Sequence, residues 1–122
     1  MAYDSPTNTV RREATFTPAA AGATTESNKF RHFQALRLKK VHAAVVTAGT
    51  ATTHGYNVFH GTTSIGAIAL STSVAGVVAS SATLNRDVAS MEQLSVKSLA
   101  DATGVAQIVY EFDVSPGASQ TA

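Results

Sequence analysis

The sequence predicts an all-β fold, an antiparallel β-sandwich of jelly-roll type that follows an extended N-terminal arm. Short segments rich in valine and threonine are separated by turns that carry glycine, which is typical of strands joined by tight connections. Near the end of the chain, apolar and polar residues alternate through residues 105–114, as they do on a half-buried antiparallel strand. No internal repeat is visible, so solenoids and propellers are not expected.

The N-terminal third of the chain differs from the rest. Residues 1–33 are predicted to form the arm, residues 34–116 the sandwich and residues 117–122 a flexible tail. The arm holds two of the three prolines and shows no sustained period of a helix or strand. It could be a disordered tail or an arm that becomes ordered against a partner. Three of the five phenylalanines, Phe16, Phe30 and Phe33, favour the second interpretation, because a solvated tail has no use for them.

The first strand of the sandwich is predicted to contain a bulge. Leu36 and Leu38 alternate with Ala35 and Arg37, and the apolar phase then shifts by one residue after Lys39 and Lys40. Such a shift in a period-two pattern indicates a bulge or a bend. Further strands are expected at residues 56–60 and 65–70, with a turn at residues 61–64 between them.

The segment that precedes the last strand can be interpreted in two ways. Val88, Met91, Leu94 and Leu99 fit a helical spacing, with Asn85 or Asp87 as the N-cap. We favour a strand over residues 94–99, because a five-residue connection that ends in glycine then leads to the strand at residues 105–114. The favoured interpretation predicts a hairpin.

The small net charge of +1 hides a polarised distribution. Residues 1–40 hold seven basic and three acidic side chains, whereas residues 41–85 contain no charged residue. The uncharged window at residues 65–84 has too many serines, threonines and glycines to favour a transmembrane helix. Asp4 stands where a signal peptide needs basic residues, so we expect synthesis in a cytoplasm.

Catalytic and metal-binding patterns are not found in the sequence. His54 and His60 flank one short strand, but the chain has no cysteine, and a zinc site needs three or four convergent ligands. No serine lies in a Gly-x-Ser-x-Gly motif, and the glycines at residues 61 and 66 lack the lysine of a phosphate loop. We therefore expect no enzyme activity, no cofactor, no metal and no small-molecule substrate.

The basic residues of the arm are the candidate partner-binding residues. The net charge of +1 is too small for a nucleic-acid-binding protein, and no aromatic residues are interleaved for base stacking, so an acidic protein surface is the better match. The candidates in the arm are Arg11, Arg12, Phe16, Lys29, Phe30, Arg31 and Phe33. Those at the junction between arm and sandwich are Arg37, Lys39 and Lys40.

Three stretches of the chain resemble virion structural proteins of tailed bacteriophages, in particular capsid cement or decoration proteins. They are ATFTPAAA at residues 14–21, YNVFHGTTSIG at residues 56–66 and TGVAQIVYEF at residues 103–112. The resemblance implies a homotrimer on the outer capsid surface that stabilises the shell by bridging subunits of the major capsid protein. A tail, baseplate or head-fibre component remains an alternative. So does a carbohydrate-binding module, although tryptophan is absent and Tyr3, Tyr56 and Tyr110 are the only tyrosines.

Overall fold

The structure is a computed structural model that describes residues 10–15, 19–20, 26–50, 52–99 and 104–114. These residues form ten strands and no helix, and nothing in them could cross a membrane as an apolar helix. The strands are β1 (Val10–Thr15), β2 (Ala19–Ala20), β3 (Ser27–Arg31), β4 (Leu36–Thr47), β5 (Gly55–His60), β6 (Thr63–Ala69), β7 (Val78–Ser80), β8 (Arg86–Val88), β9 (Gln93–Leu99) and β10 (Val105–Val114).

The strands form two antiparallel sheets, which confirms the all-β sandwich. In the first sheet the order is β1-β10-β4-β7, and β2 and β8 pair with β10 and β4 respectively. In the second sheet the order is β3-β9-β5-β6. The jelly-roll connectivity stays a prediction. The helix considered for residues 88–99 is wrong, because Val88 ends β8 and residues 93–99 form β9.

The core lies between the two sheets and is built from alternate residues of their strands. The strand β10 buries every second side chain, as its sequence pattern predicts. Its inward residues share one cluster with those of β4 in the first sheet and of β5 and β9 in the second. The fully buried members include Leu38, Val41, Tyr56, Val58, Leu94, Val96, Ile108 and Tyr110.

The predicted bulge in β4 is confirmed. Lys40 pairs with Glu111 of β10, and the next pair along the ladder is Leu38 with Phe112. Lys39 is therefore the extra residue on β4. Because of this insertion, Leu38 and Val41 both point into the core although they are three positions apart.

The predicted hairpin between the last two strands is wrong. β9 lies between β3 and β5 in the second sheet, whereas β10 lies between β1 and β4 in the first. The chain therefore changes sheets between Leu99 and Val105. Alternation identifies each segment as a strand, but it carries no information about which sheet the strand joins.

Three strands of the sheets lie within the first 33 residues. β1 pairs with β10 along its whole length, β2 also pairs with β10, and β3 pairs with β9. Phe30 of β3 contacts the rings of Tyr110 and Phe112, with centroid distances of 5.8 and 5.4 Å. Residues on both sides of the predicted boundary at residue 33 thus contribute to the same sheets. Residues 1–9, 16–18 and 21–25 of the predicted arm, which include Phe16, and the predicted tail at residues 117–122 lie outside the described residues.

Candidate functional site

Four exposed valines gather at one end of the first sheet. Val46, Val74, Val77 and Val78 are 49%, 66%, 39% and 61% exposed, and together we call them the valine patch. Val45 donates its backbone N–H to Val77 at 2.8 Å and accepts one from Gly76 at 2.8 Å. These bonds hold the turn before β7 against the end of β4, so the four valines lie close together.

The valine patch lies at the uncharged part of a sheet edge. β7 is the last strand of the first sheet and β6 the last strand of the second. Natural edge strands usually carry lysine, proline or inward-pointing charges that prevent pairing with another chain. β6 and β7 lie within residues 41–85, which hold no charged residue, whereas β8, which pairs with β4 on the same edge as β7, carries Arg86 and Asp87. The part of the edge around β7 can therefore be buried against another neutral surface without stranding a charge.

The structure distributes the predicted partner-binding residues over both sheets. Arg11 contacts Glu111 and Asp113 of β10, Arg37 contacts Asp87 at 2.8 Å, and Lys39 contacts Asn85. Lys40 is half-buried beside them on β4, and the side chain of Arg12 is not described. These basic groups of the first sheet are largely engaged within the chain.

The candidates on and after β3 lie in a different place. Lys29 and Arg31 are exposed, and Phe33 is 73% exposed although its ring stacks on His32 with a centroid distance of 4.9 Å. Phe30 packs against the core instead. The structure therefore separates Arg31 and Phe33 from the basic residues of β1 and β4.

Arg31 lines a pocket of about 490 Å³ at one end of the second sheet. The pocket lies where the turn between β5 and β6 meets β8 and the start of β9. Its lining residues are Arg31, His60, Gly61, Thr62, Thr63, Arg86, Glu92 and Gln93. Sequence reasoning identified Arg31 but missed Arg86, because only the folded chain brings β3 and β8 to the same pocket.

Hydrogen bonds determine the protonation pattern on one wall of this pocket. Arg86 donates from Nε to Nδ1 of His60 at 3.0 Å, so Nδ1 is an acceptor and Nε2 carries the ring proton. That Nε2 donates to Glu92 at 3.0 Å. The pKa of Glu92 is lowered mainly by the backbone N–H of Ala89 and further by His60. Glu92 is thus an ionised acceptor and His60 is neutral.

A serine, a histidine and a glutamate are aligned on the outer face of the first sheet. His42 contacts Oγ of Ser80 through Nδ1 at 2.6 Å and donates from Nε2 to Glu111 at 2.8 Å. The three residues come from β7, β4 and β10, so no local motif could reveal them. The order is that of a nucleophile, base and acid, but an acyl-transfer site also needs donors for an oxyanion. The backbone N–H of Ser81, the residue after Ser80, already donates to the backbone oxygen of Val41 at 2.8 Å, so it is not free to bind an oxyanion.

The remaining sequence candidates are separated or buried. His54 is 2% exposed at the start of β5, whereas His60 lies at its other end in the pocket. In the part of the chain that the structure describes, no three histidine, aspartate or glutamate side chains form a metal-binding group. Tyr56 and Tyr110 are fully buried, so neither can act as a sugar-binding platform.

Comparison of the chain with protein-family models, with curated proteins and with solved structures finds no match.

Proposed function

We propose that this protein is a non-enzymatic virion structural protein, a capsid cement or decoration protein. In this proposal it binds the outer capsid surface as an oligomer, a homotrimer by the resemblance stated above, and bridges subunits of the major capsid protein. The observation that carries the proposal is the valine patch at the uncharged part of a sheet edge. Such an edge is typical of a surface that is covered in an assembly.

Burial of the valine patch would contribute to the free energy of self-association. Complete burial of a valine side chain stabilises by about 1.5 kcal/mol or more. Because these valines are already partly covered, each would contribute about 1 kcal/mol when a second copy buries it. Four valines on each copy then offset much of the entropy lost on association, which is roughly 4–15 kcal/mol.

The first experiment measures the mass of the protein in solution by sedimentation equilibrium. We expect the natural chain to be a trimer and Val78→Asp to be a monomer, because the substitution buries a carboxylate in the contact. Ala35→Asp is the matched control, since Ala35 is exposed and precedes the opposite end of β4. A monomeric natural chain, or a Val78→Asp variant that remains a trimer, would contradict the valine patch as the self-contact.

The second experiment locates the protein on intact virus particles by immunogold electron microscopy. A decoration protein labels the whole shell, whereas a tail, baseplate or fibre protein labels one vertex or isolated points. Labelling of the shell that is lost with Val78→Asp and kept with Ala35→Asp supports the proposal. Deletion of residues 1–33 is not a suitable test, because it removes β1 and β3 from the sheets.

A further inference from the structure

The four arginines whose side chains are described fall into two pairs. Arg11 and Arg37 form salt bridges with carboxylates of neighbouring strands. Arg31 and Arg86 have no carboxylate within salt-bridge distance among the described residues, and both line the same pocket. The pocket is thus lined by two guanidinium groups that lack a salt-bridge partner among the described residues.

Neutral groups orient both guanidinium groups of the pocket. Arg31 donates to the backbone oxygen of Met91 at 2.6 Å and to the side-chain oxygen of Gln93 at 3.3 Å. Arg86 is held through Nε by His60. Its two Nη groups make no hydrogen bond within the described part of the chain. An oriented guanidinium with free N–H groups matches the two oxygens of a carboxylate.

The charge of the lining suits an anion with a single charge. Arg31 and Arg86 contribute two positive charges and Glu92 one negative charge, while His60 is neutral. The lining therefore carries a net charge of +1, which a carboxylate neutralises. A phosphate group carries about 1.5 to 2 negative charges near pH 7 and would leave the pocket with a net negative charge.

Two residues with exposed apolar side chains lie near Arg31 along the backbone. Phe33 is 73% exposed and Met91 is 54% exposed. Ser90 donates its hydroxyl to the backbone oxygen of Phe33 at 2.6 Å, and the backbone N–H of Met91 donates to His32 at 2.8 Å. Together with the bond from Arg31 to the backbone oxygen of Met91, these contacts hold the backbones of Phe33 and Met91 near Arg31, just outside the residues that line the pocket. Arginine, methionine and phenylalanine are enriched in protein-binding surfaces.

The backbone at Met91 is unfavourable for a methionine. Its φ is 65°, in the left-handed region where glycine and asparagine are common and other residues cost about 1 kcal/mol. A glycine would form the same turn without that cost. A large, exposed apolar side chain at a strained turn position is a local conflict of the kind found at functional sites.

We propose that the pocket formed by Arg31 and Arg86, with Phe33 and Met91 as its apolar border, binds an acidic segment of a partner protein. In that segment an aspartate or glutamate lies next to a large apolar side chain. The carboxylate accepts hydrogen bonds from the two arginines, and the apolar side chain packs on Phe33 and Met91. The inference deepens the proposed function and rests on it only for the identity of the partner, the major capsid protein.

The test uses the full chain labelled with ¹⁵N and the peptide acetyl-Leu-Asp-Phe-amide as the probe. Saturable shifts of the backbone amide signals of Gly61, Thr62 and Thr63 measure binding. The peptide with asparagine in place of aspartate should bind about tenfold more weakly, which corresponds to one charge-assisted hydrogen bond. A phosphoserine peptide should not bind more tightly than the aspartate peptide. Equal binding of the aspartate and asparagine peptides, or tightest binding of phosphoserine, overturns the proposal.

Variants separate a role in binding from a role in the fold. Arg86→Gln should weaken the binding of the aspartate peptide about tenfold. Arg11→Gln is the control, because it makes the same change of charge on the outer face of the other sheet, and it should leave the affinity for the peptide unchanged. Met91→Gly removes the strain and the side chain together, so it should keep or raise stability and still weaken binding. Undiminished binding by Arg86→Gln or Met91→Gly contradicts the proposed site.

The peptide and particle experiments distinguish this inference from the proposed function. Binding of the aspartate peptide that depends on Arg86, without labelling of virus shells, supports the pocket and contradicts the capsid as its partner. If the Arg86→Gln variant labels virus shells as strongly as the natural chain does, the result supports the proposal of a decoration protein and contradicts the pocket as its contact with the capsid.

Discussion

A close contact between Gly104 and His54 leads to a prediction in which one substitution rescues another. A Cβ atom added at Gly104 would lie 2.3 Å from Nε2 of His54, and the two next nearest atoms, at 2.6 and 2.8 Å, belong to the same ring. The ring is 2% exposed and meets the edge of Tyr56, so it has little space in which to move. Gly104→Ala should therefore destabilise by about 1–3 kcal/mol, the usual cost of overpacking a core.

The second substitution, His54→Ala, removes the ring with which the new methyl group collides. The ring also has two nitrogens that are buried without a hydrogen-bond partner in the described structure. Removing such unpaired polar atoms recovers about 1–3 kcal/mol, which offsets much of the packing that the ring provides. In the His54→Ala background, Gly104→Ala should cost nothing or stabilise slightly. The expected coupling energy is about 1–3 kcal/mol.

The assay is urea unfolding followed by circular dichroism for the natural chain, both single variants and the double variant. Gly55→Ala is the control, because its added Cβ would lie 2.3 Å from the backbone oxygen of Ile68, which no side-chain truncation relieves. His54→Ala should rescue Gly104→Ala and fail to rescue Gly55→Ala. Additive effects of His54→Ala and Gly104→Ala, within about 0.5 kcal/mol, would refute the reasoning.

Two further predictions concern a buried hydroxyl and a surface carboxylate. Tyr110 donates its hydroxyl to the backbone oxygen of Asn28 at 2.8 Å, so Tyr110→Phe should lower the free energy of unfolding by about 1 kcal/mol in urea titrations. A loss below about 0.3 kcal/mol would mean that this bond contributes little to the fold. The pKa of Glu111 is lowered below its ordinary value of 4.5, first by the hydrogen bond from His42 and then by Arg11. Stability from this carboxylate is complete above its ordinary pKa and is lost as the pH falls through the lowered pKa. The unfolding midpoint should therefore decline less between pH 5 and pH 3 in Glu111→Gln than in the natural chain, as measured by urea unfolding at each pH; equal declines would contradict this role.

The charged residues show why a partner-binding site is only partly predictable from the sequence. Clustering of basic residues in the first 40 positions suggested one cationic surface, but the fold neutralises Arg11 with residues of β10 and Arg37 with Asp87. Arg86, isolated in the sequence, joins Arg31 in the pocket. Local charge counts cannot anticipate this, because each pairing joins residues at least 50 positions apart.

The sequence by itself determined the class of fold, since strands bury alternate residues and that period is visible without any tertiary information. The alternation in β10 and the phase shift at Lys39 are local patterns, and both appear in the structure as the sequence indicates. Only the tertiary structure decided which sheet each strand joins, because an alternating segment can pair with any neighbour that presents an apolar face. It therefore separated β9 from β10, incorporated β1 and β3 into the sheets, and brought Arg31 and Arg86 to one pocket.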